Sequence, residues 1–177
     1  YAVNENGPES TVSAFNYSAA SGKINFINKQ NASGADPCYL INDDKNVIVA
    51  NYSGGNIAVF GKNGDGSIKE AKQLIQHYGK GPNVQRQQGA HVHMVHFSPD
   101  RKFVLSNDLG VDKVYSYAYD ADAKVENLKV CDSVSVTAGS GPRHLTFSND
   151  GKWVYLLQEL NGSLTTFKYA KCKLKKI

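Results

Sequence analysis

A strand-turn-strand unit recurs three times along this chain, at Cys38–Asn51, Met94–Asn107 and His144–Leu157. In each copy an apolar run ends at Ile41, Phe97 or Phe147, a polar turn follows (Asn42–Lys45, Ser98–Arg101 or Ser148–Gly151), and a second apolar run completes the unit. The equivalent positions Ile41, Phe97 and Phe147 are 56 and 50 residues apart. Such a period limits the fold severely, because one unit of this size is a small sheet that can bury its faces only against neighbouring copies of itself. The Pro-Asp and Asp-Gly pairs in two of the turns supply tight-turn chemistry.

A third strand is expected after each unit, at Asn56–Phe60, Lys113–Tyr119 and Ser163–Tyr169, and an outer fourth strand at Ile68–Ile75, Val130–Val136 and from Lys171 onward. Thr11–Tyr17 and Lys23–Asn28 read as the same outer pair from an earlier unit whose first two strands are not recognisable. Four short antiparallel strands per repeat make the blade of a β-propeller. The sequence therefore predicts an all-β chain of four-stranded antiparallel blades, with outer strands of one blade at 11–30, blades at 36–76 and 91–137, and most of another at 142–177. This is an open arc of roughly half a ring. Its end blades lack neighbours, so pairing is expected, with the remainder of a propeller or with another copy.

Ten tyrosines and seven phenylalanines among 177 residues suit pleated, half-buried strands. A net charge of +4, whose one basic cluster is Lys171, Lys173, Lys175 and Lys176, is too small and too local for a nucleic-acid footprint. It suits an anionic small molecule without requiring one. Cys38, Cys131 and Cys172 are odd in number and widely spaced, so the expectation is free, buried thiols rather than a disulfide framework or a zinc site. No apolar run reaches the ~20 residues of a membrane span, and the first residues do not read as a secretory leader. The expected location is cytoplasmic, with no cofactor.

In a four-strand meander the loops entering the first strand and those joining the second to the third share one rim. Entering loops here are Gly34–Pro37, Gln88–His93 and Gly139–His144; the second strands end at Asn51–Ser53, Asn107–Gly110 and Gln158–Asn161. His91 or His93, Arg143 and Glu159 are thereby expected at one mouth of the central channel, with His93 equivalent to Arg143. An arginine can hold an anionic oxygen, a carboxylate can take a proton from water, and histidine can do acid or base work near neutral pH. Each has a structural alternative. Arg143 and Glu159 also read as an ion pair across a blade, and His91 and His93, two apart on one strand face, raise a metal site that lacks a carboxylate or cysteine at ligand spacing. His77 and His144 read as structural. Asp108 is placed with His91 and Arg143 in substrate binding, the alternative being that Asp108 and Asp112 shape a turn. Gly54-Gly55 resembles a phosphate loop, but no helix follows, so it reads as a hairpin turn with positive φ.

Asn51-Tyr-Ser-Gly-Gly-Asn, His91-Val-His, Ser98-Pro-Asp, Asp108-Leu-Gly-Val-Asp, Gly141-Pro-Arg-His and Gln158-Glu-Leu-Asn, in this order and spacing, resemble the lactonase family of seven-bladed propellers from about Thr11 to Tyr169. That resemblance implies hydrolysis of a sugar lactone, 6-phosphoglucono-δ-lactone foremost, without a metal. It also implies a catalytic histidine, arginine and glutamate, which map by motif onto His93 (or His91), Arg143 and Glu159. A further family arginine from a later blade has no counterpart here. A muconate-type lactone cyclase and a non-catalytic binding platform are the alternatives.

Overall fold

In the computed structural model, which describes residues 1–177, fifteen strands form four consecutive antiparallel sheets. The first blade holds β1 (Ala2–Asn4), β2 (Thr11–Ser18) and β3 (Lys23–Asn31). The second is β4 (Pro37–Asn42), β5 (Asn46–Asn51), β6 (Asn56–Lys62) and β7 (Ile68–Gln76). The third is β8 (Val92–Phe97), β9 (Phe103–Asp108), β10 (Lys113–Tyr119) and β11 (Leu128–Ser135), and the fourth β12 (Pro142–Phe147), β13 (Trp153–Gln158), β14 (Leu164–Ala170) and β15 (Lys173–Lys176). In the last three blades the strands lie side by side in chain order, so each is a simple meander. No helix is long and apolar enough to cross a membrane.

β1 is the element the sequence does not announce. It pairs Ala2–Asn4 with Thr11–Ser13 and gives the first blade a third strand. Three residues are too few to show alternation, and a single 3-10 turn at Gly7–Glu9 separates them from their partner.

Alternation within strands builds the core between the blades. Val47, Val49, Ala58 and Phe60 face the first blade and pack on Val12 and Ala14. From the same two strands, Ile48, Ala50, Ile57 and Val59 face the third blade and meet Val92, Val95 and Tyr117. On the other side of the third blade, Met94, Leu105 and Val114 meet Leu145, Val154, Leu156 and Phe167 of the fourth. Sheets with both faces covered read as continuous apolar runs, which is why Val47–Ala50 and Ile57–Phe60 are fully buried without a polar alternate. The arc ends differently. Phe15, Tyr17, Ile24 and Phe26 on the first blade, and Tyr155, Leu157 and Leu164 on the fourth, face outward and exposed.

Two turns decide the rim. Gly55 takes φ +62° in the β5–β6 hairpin, as its left-handed position requires. A Cβ on Gly110 would collide with the Gly89 carbonyl oxygen, so only glycine lets the β9–β10 turn close on the loop entering β8.

The cysteines correct the sequence reading. Cys131 on β11 and Cys172 in the β14–β15 turn form a disulfide with Cα atoms 6.4 Å apart, leaving Cys38 as the free thiol. The pairing was not legible because the two residues are 41 apart and meet only when the outer edges of adjacent blades stack. A loop of this length gives a bond worth about 2–4 kcal/mol by constraining the unfolded chain. One thiol per chain is expected to react in denaturant before reduction and three after it, and Cys131→Ser should lower the melting temperature by several degrees; three reactive thiols before reduction would contradict the bond.

Candidate functional site

The inner strands β4, β8 and β12 each carry an irregularity at the same place. Pro37 pairs with Asn51 but Tyr39 with Ala50, Val92 with Asp108 but Met94 with Asn107, and Pro142 with Gln158 but His144 with Leu157. Cys38, His93 and Arg143 are thus the extra residues of three β-bulges, a device that re-aims side chains. All three line one cleft of about 750 Å³ at the channel mouth, with Tyr39, Tyr52, Arg86, His144 and Glu159 among its other walls. The bulge also lets the consecutive residues Arg143 and His144 reach the same cleft, which a regular strand would forbid.

Glu159 is the hinge of the charge arrangement. Its Oε2 accepts from Arg143 Nε at 2.8 Å and its Oε1 from Arg86 Nη2 at 2.6 Å. Arg86 Nη2 also donates to the Tyr52 hydroxyl at 3.1 Å. Burial pushes the Glu159 carboxyl up, but the bond from Arg86 and the charge of both arginines outweigh it and hold the group below its ordinary value. The bonds it donates to Tyr52 and Glu159 push the Arg86 guanidinium up. Arg143 commits only Nε to the pair, so its two terminal amino groups remain available to a ligand.

The histidines separate into three roles. His93 is 8% exposed, its Nδ1 is buried without a partner, and burial, followed by the charge of Arg143, pulls it down to about 4. His91, placed with substrate binding from the sequence, lies outside the cleft. Its ring stacks on Tyr52 at 4.5 Å and its Nδ1 sits 3.1 Å from the Tyr52 carbonyl oxygen. His144, read as structural, is in the cleft wall, with its ring 5.7 Å from Tyr39 and 5.1 Å from His93.

Asp108 is fully buried beneath the rim and touches no part of the cleft. One oxygen accepts from the backbone N–H of His91 (2.8 Å) and Gly110 (3.0 Å), and the other lies 2.8 Å from His77 Nδ1, whose Nε2 meets the Tyr117 hydroxyl at 2.7 Å. Its place in substrate binding is therefore corrected to building the loop that carries His91 and His93. Asp112 does the same for the next loop, accepting from Gly139 and Gly141 just before Arg143. Asn107 donates to the Arg143 carbonyl at 3.0 Å and ties that bulge to the third blade.

Arg86 is the residue that sequence reasoning missed. It sits in the 15-residue connection between β7 and β8, which belongs to no repeat position, and nothing local distinguishes it from a surface arginine. Cys38, though in the wall, donates to the His93 carbonyl at 3.2 Å and is pushed by burial up to about 12, so it is not a nucleophile near neutral pH. No group of three His, Cys, Asp or Glu side chains converges as a metal-ligand set. A cleft of about 490 Å³ on the opposite rim is lined by lysines and by Asp44, Glu70 and Asp122; Lys45 is paired with Asp122, and Lys62 and Lys72 bond to backbone carbonyls.

The family model described as lactonase, 7-bladed beta-propeller, matches residues 1–177. The chain belongs to this family. Among curated relatives, 6-phosphogluconolactonase of Bacillus subtilis is 33% identical over 171 residues, covering 96% of this chain and 48% of that protein. The Pseudomonas aeruginosa periplasmic gluconolactonase PpgL superposes with a TM-score of 0.90 at 32% identity, over 99% of this chain and 52% of that one. A crystal structure from Bacteroides fragilis gives 0.94 at 39% identity, over 99% and 51%. The chain spans about half the length of the relatives it matches, and its four blades fall within their rings.

Protonating the buried His93 should cost native stability. Its folded value is depressed, so the stability is present above the ordinary histidine value and lost as pH falls toward about 4. The melting temperature should fall from pH 6.5 to 4, and His93→Gln should flatten part of that fall; an unchanged slope in the variant would contradict a neutral, buried His93.

Proposed function

We propose that the whole protein to which these blades belong hydrolyses a sugar lactone bearing an anionic group, 6-phosphoglucono-δ-lactone foremost. The observation that carries this reading is the Arg86–Glu159–Arg143 bridge across the mouth of the cleft. It is a net-positive, partly desolvated array whose free guanidinium donors can meet a phosphate or the developing oxyanion of a lactone carbonyl. The names borne by the relatives, a 6-phosphogluconolactonase and a gluconolactonase, support the same chemistry.

In this reading the substrate's anionic group docks on Arg86, and the lactone carbonyl lies toward Arg143 and His93. Glu159 bonds both guanidinium groups, so it positions them against their mutual repulsion. The exposed apolar faces at the two ends of the arc suit further blades of the same protein, since the matched relatives are about twice as long. The expected cytoplasmic location sits poorly with the Cys131–Cys172 bond, because structural disulfides persist in oxidising compartments. An oxidising compartment, such as the periplasm where PpgL is named, is the location this bond favours.

The test is hydrolysis of freshly generated 6-phosphoglucono-δ-lactone and of glucono-δ-lactone, corrected for spontaneous opening. Losing a charge-assisted bond costs about 1.5–3 kcal/mol. Arg86→Ala is therefore expected to raise KM about 10–100-fold for the phosphorylated lactone and far less for the other, while Arg143→Ala and Glu159→Gln impair both. A protein that hydrolyses neither lactone is a different enzyme or a binding platform.

A further inference from the structure

Hydrolysis needs a group that takes a proton from water. Glu5 and Asp36 line the cleft, Asp36 accepting from the Gly7 backbone N–H at 2.8 Å, and three further groups stand close enough to Arg143 to feel its charge. Glu159 has each carboxylate oxygen bonded to a guanidinium, and the two arginine charges hold it below its ordinary value and make it the weaker base. His93 is the second. Its Nδ1 is buried without a hydrogen-bond partner, and an orphaned N–H there would cost more than an orphaned lone pair. Its proton therefore belongs on Nε2, which makes His93 a hydrogen-bond donor to the cleft and not a base.

His144 is the third. It is half-buried in the cleft wall, its ring is held between Tyr39 and His93, and neither of its nitrogens is hydrogen-bonded to the protein. We propose that His144 is the catalytic base of this site, taking a proton from the water that attacks the lactone, while His93 Nε2–H and Arg143 face the carbonyl oxygen. This rests on the lactone reading above and assigns a role within it.

The step balances without a further reactant. A ring nitrogen of His144 accepts a proton from water as the water oxygen bonds to the carbonyl carbon, and the electron pair of the C=O moves onto oxygen, opposite His93 and Arg143. On collapse, the bond from that carbon to the ring oxygen breaks, and His144 returns its proton to the departing oxygen, which leaves as a hydroxyl of the open acid. The arrangement of charge keeps the base in its working form. Burial and then Arg143, its neighbour on β12, pull His144 below its ordinary 6.5, and Glu159 partly opposes them. The titratable groups around the cleft from other elements are Cys38 and Tyr39 on β4, His93 on β8, Arg86 from the loop before β8, Tyr52 and Glu159 from the turns after β5 and β13, and Glu5 and Asp36 from the loops after β1 and before β4.

The experiment is the pH dependence of kcat and kcat/KM of the whole protein, pH 5 to 8, on both lactones, for the parent, His144→Gln, His144→Phe, His93→Gln and Glu159→Gln. The parent should lose rate on the acid side. His144→Gln and His144→Phe should lower kcat about 10²–10⁴-fold with KM within about twofold, and abolish the acid limb. Glu159→Gln should keep that limb while raising KM.

A His144→Gln enzyme with parental kcat and acid limb would overturn the proposal and leave the lactone reading intact, as would an acid limb lost only in His93→Gln. Inactivity of the parent on both lactones would sink the lactone reading itself, before any variant is compared. His144→Phe keeps an aromatic ring against Tyr39 and His93, and its melting temperature separates lost chemistry from lost folding. Should neither variant fold, NMR titration of the His144 ring in the parent must give the kinetic pKa; a different value overturns the assignment.

Discussion

Sheet packed on sheet is the interaction on which everything else here depends. In a blade with two neighbours each strand sends alternate side chains to opposite sides, as β5 sends Val47 and Val49 to one neighbour and Ile48 and Ala50 to the other. A four-stranded sheet covered on both faces has no polar alternate to spare, so polar chemistry is driven to the rims, where strands start and stop. That exclusion places Arg86, His93, Arg143, His144 and Glu159, drawn from two inner strands and two loops, around one cleft.

The rim is held by a layer of buried polar residues just below it. Asp108 and Asp112 accept backbone N–H groups from the entering loops, and Asn107 donates across to the carbonyl of Arg143. These bonds tie the end of β9 and the β9–β10 turn to the loops entering β8 and β12, so those loops are fixed by the stacking that buries the core. Groups held this way need little reorganisation when charge develops on a substrate. The carboxylates that look most reactive in the sequence are therefore divided. Asp108 is scaffold, and Glu159 lines the cleft while holding two arginines together.

The repeat made the architecture legible. The runs at Cys38–Asn51, Met94–Asn107 and His144–Leu157 mark the two inner strands of three blades, and the rim argument from a meander puts His93, Arg143 and Glu159 on one side of the ring. Three things stayed hidden. β1 is too short to show a period. Arg86 lies in a connection outside the repeat, so no equivalence points to it. The Cys131–Cys172 bond joins residues whose meeting depends on the angle at which blades stack.

What the sequence determined by itself is the choice of strands, their order and the rim on which the chemistry sits, because apolar periodicity and turn residues are local properties. What tertiary structure decided is which of the rim residues meet. Alternation alone puts His91 and His93 on one face and sends Arg143 and His144 to opposite faces. The bulges at His93 and Arg143 break that rule, separating the first pair and uniting the second. A bulge is a property of two strands in register, not of one strand's residues, so it appears only once the neighbouring strand is in place.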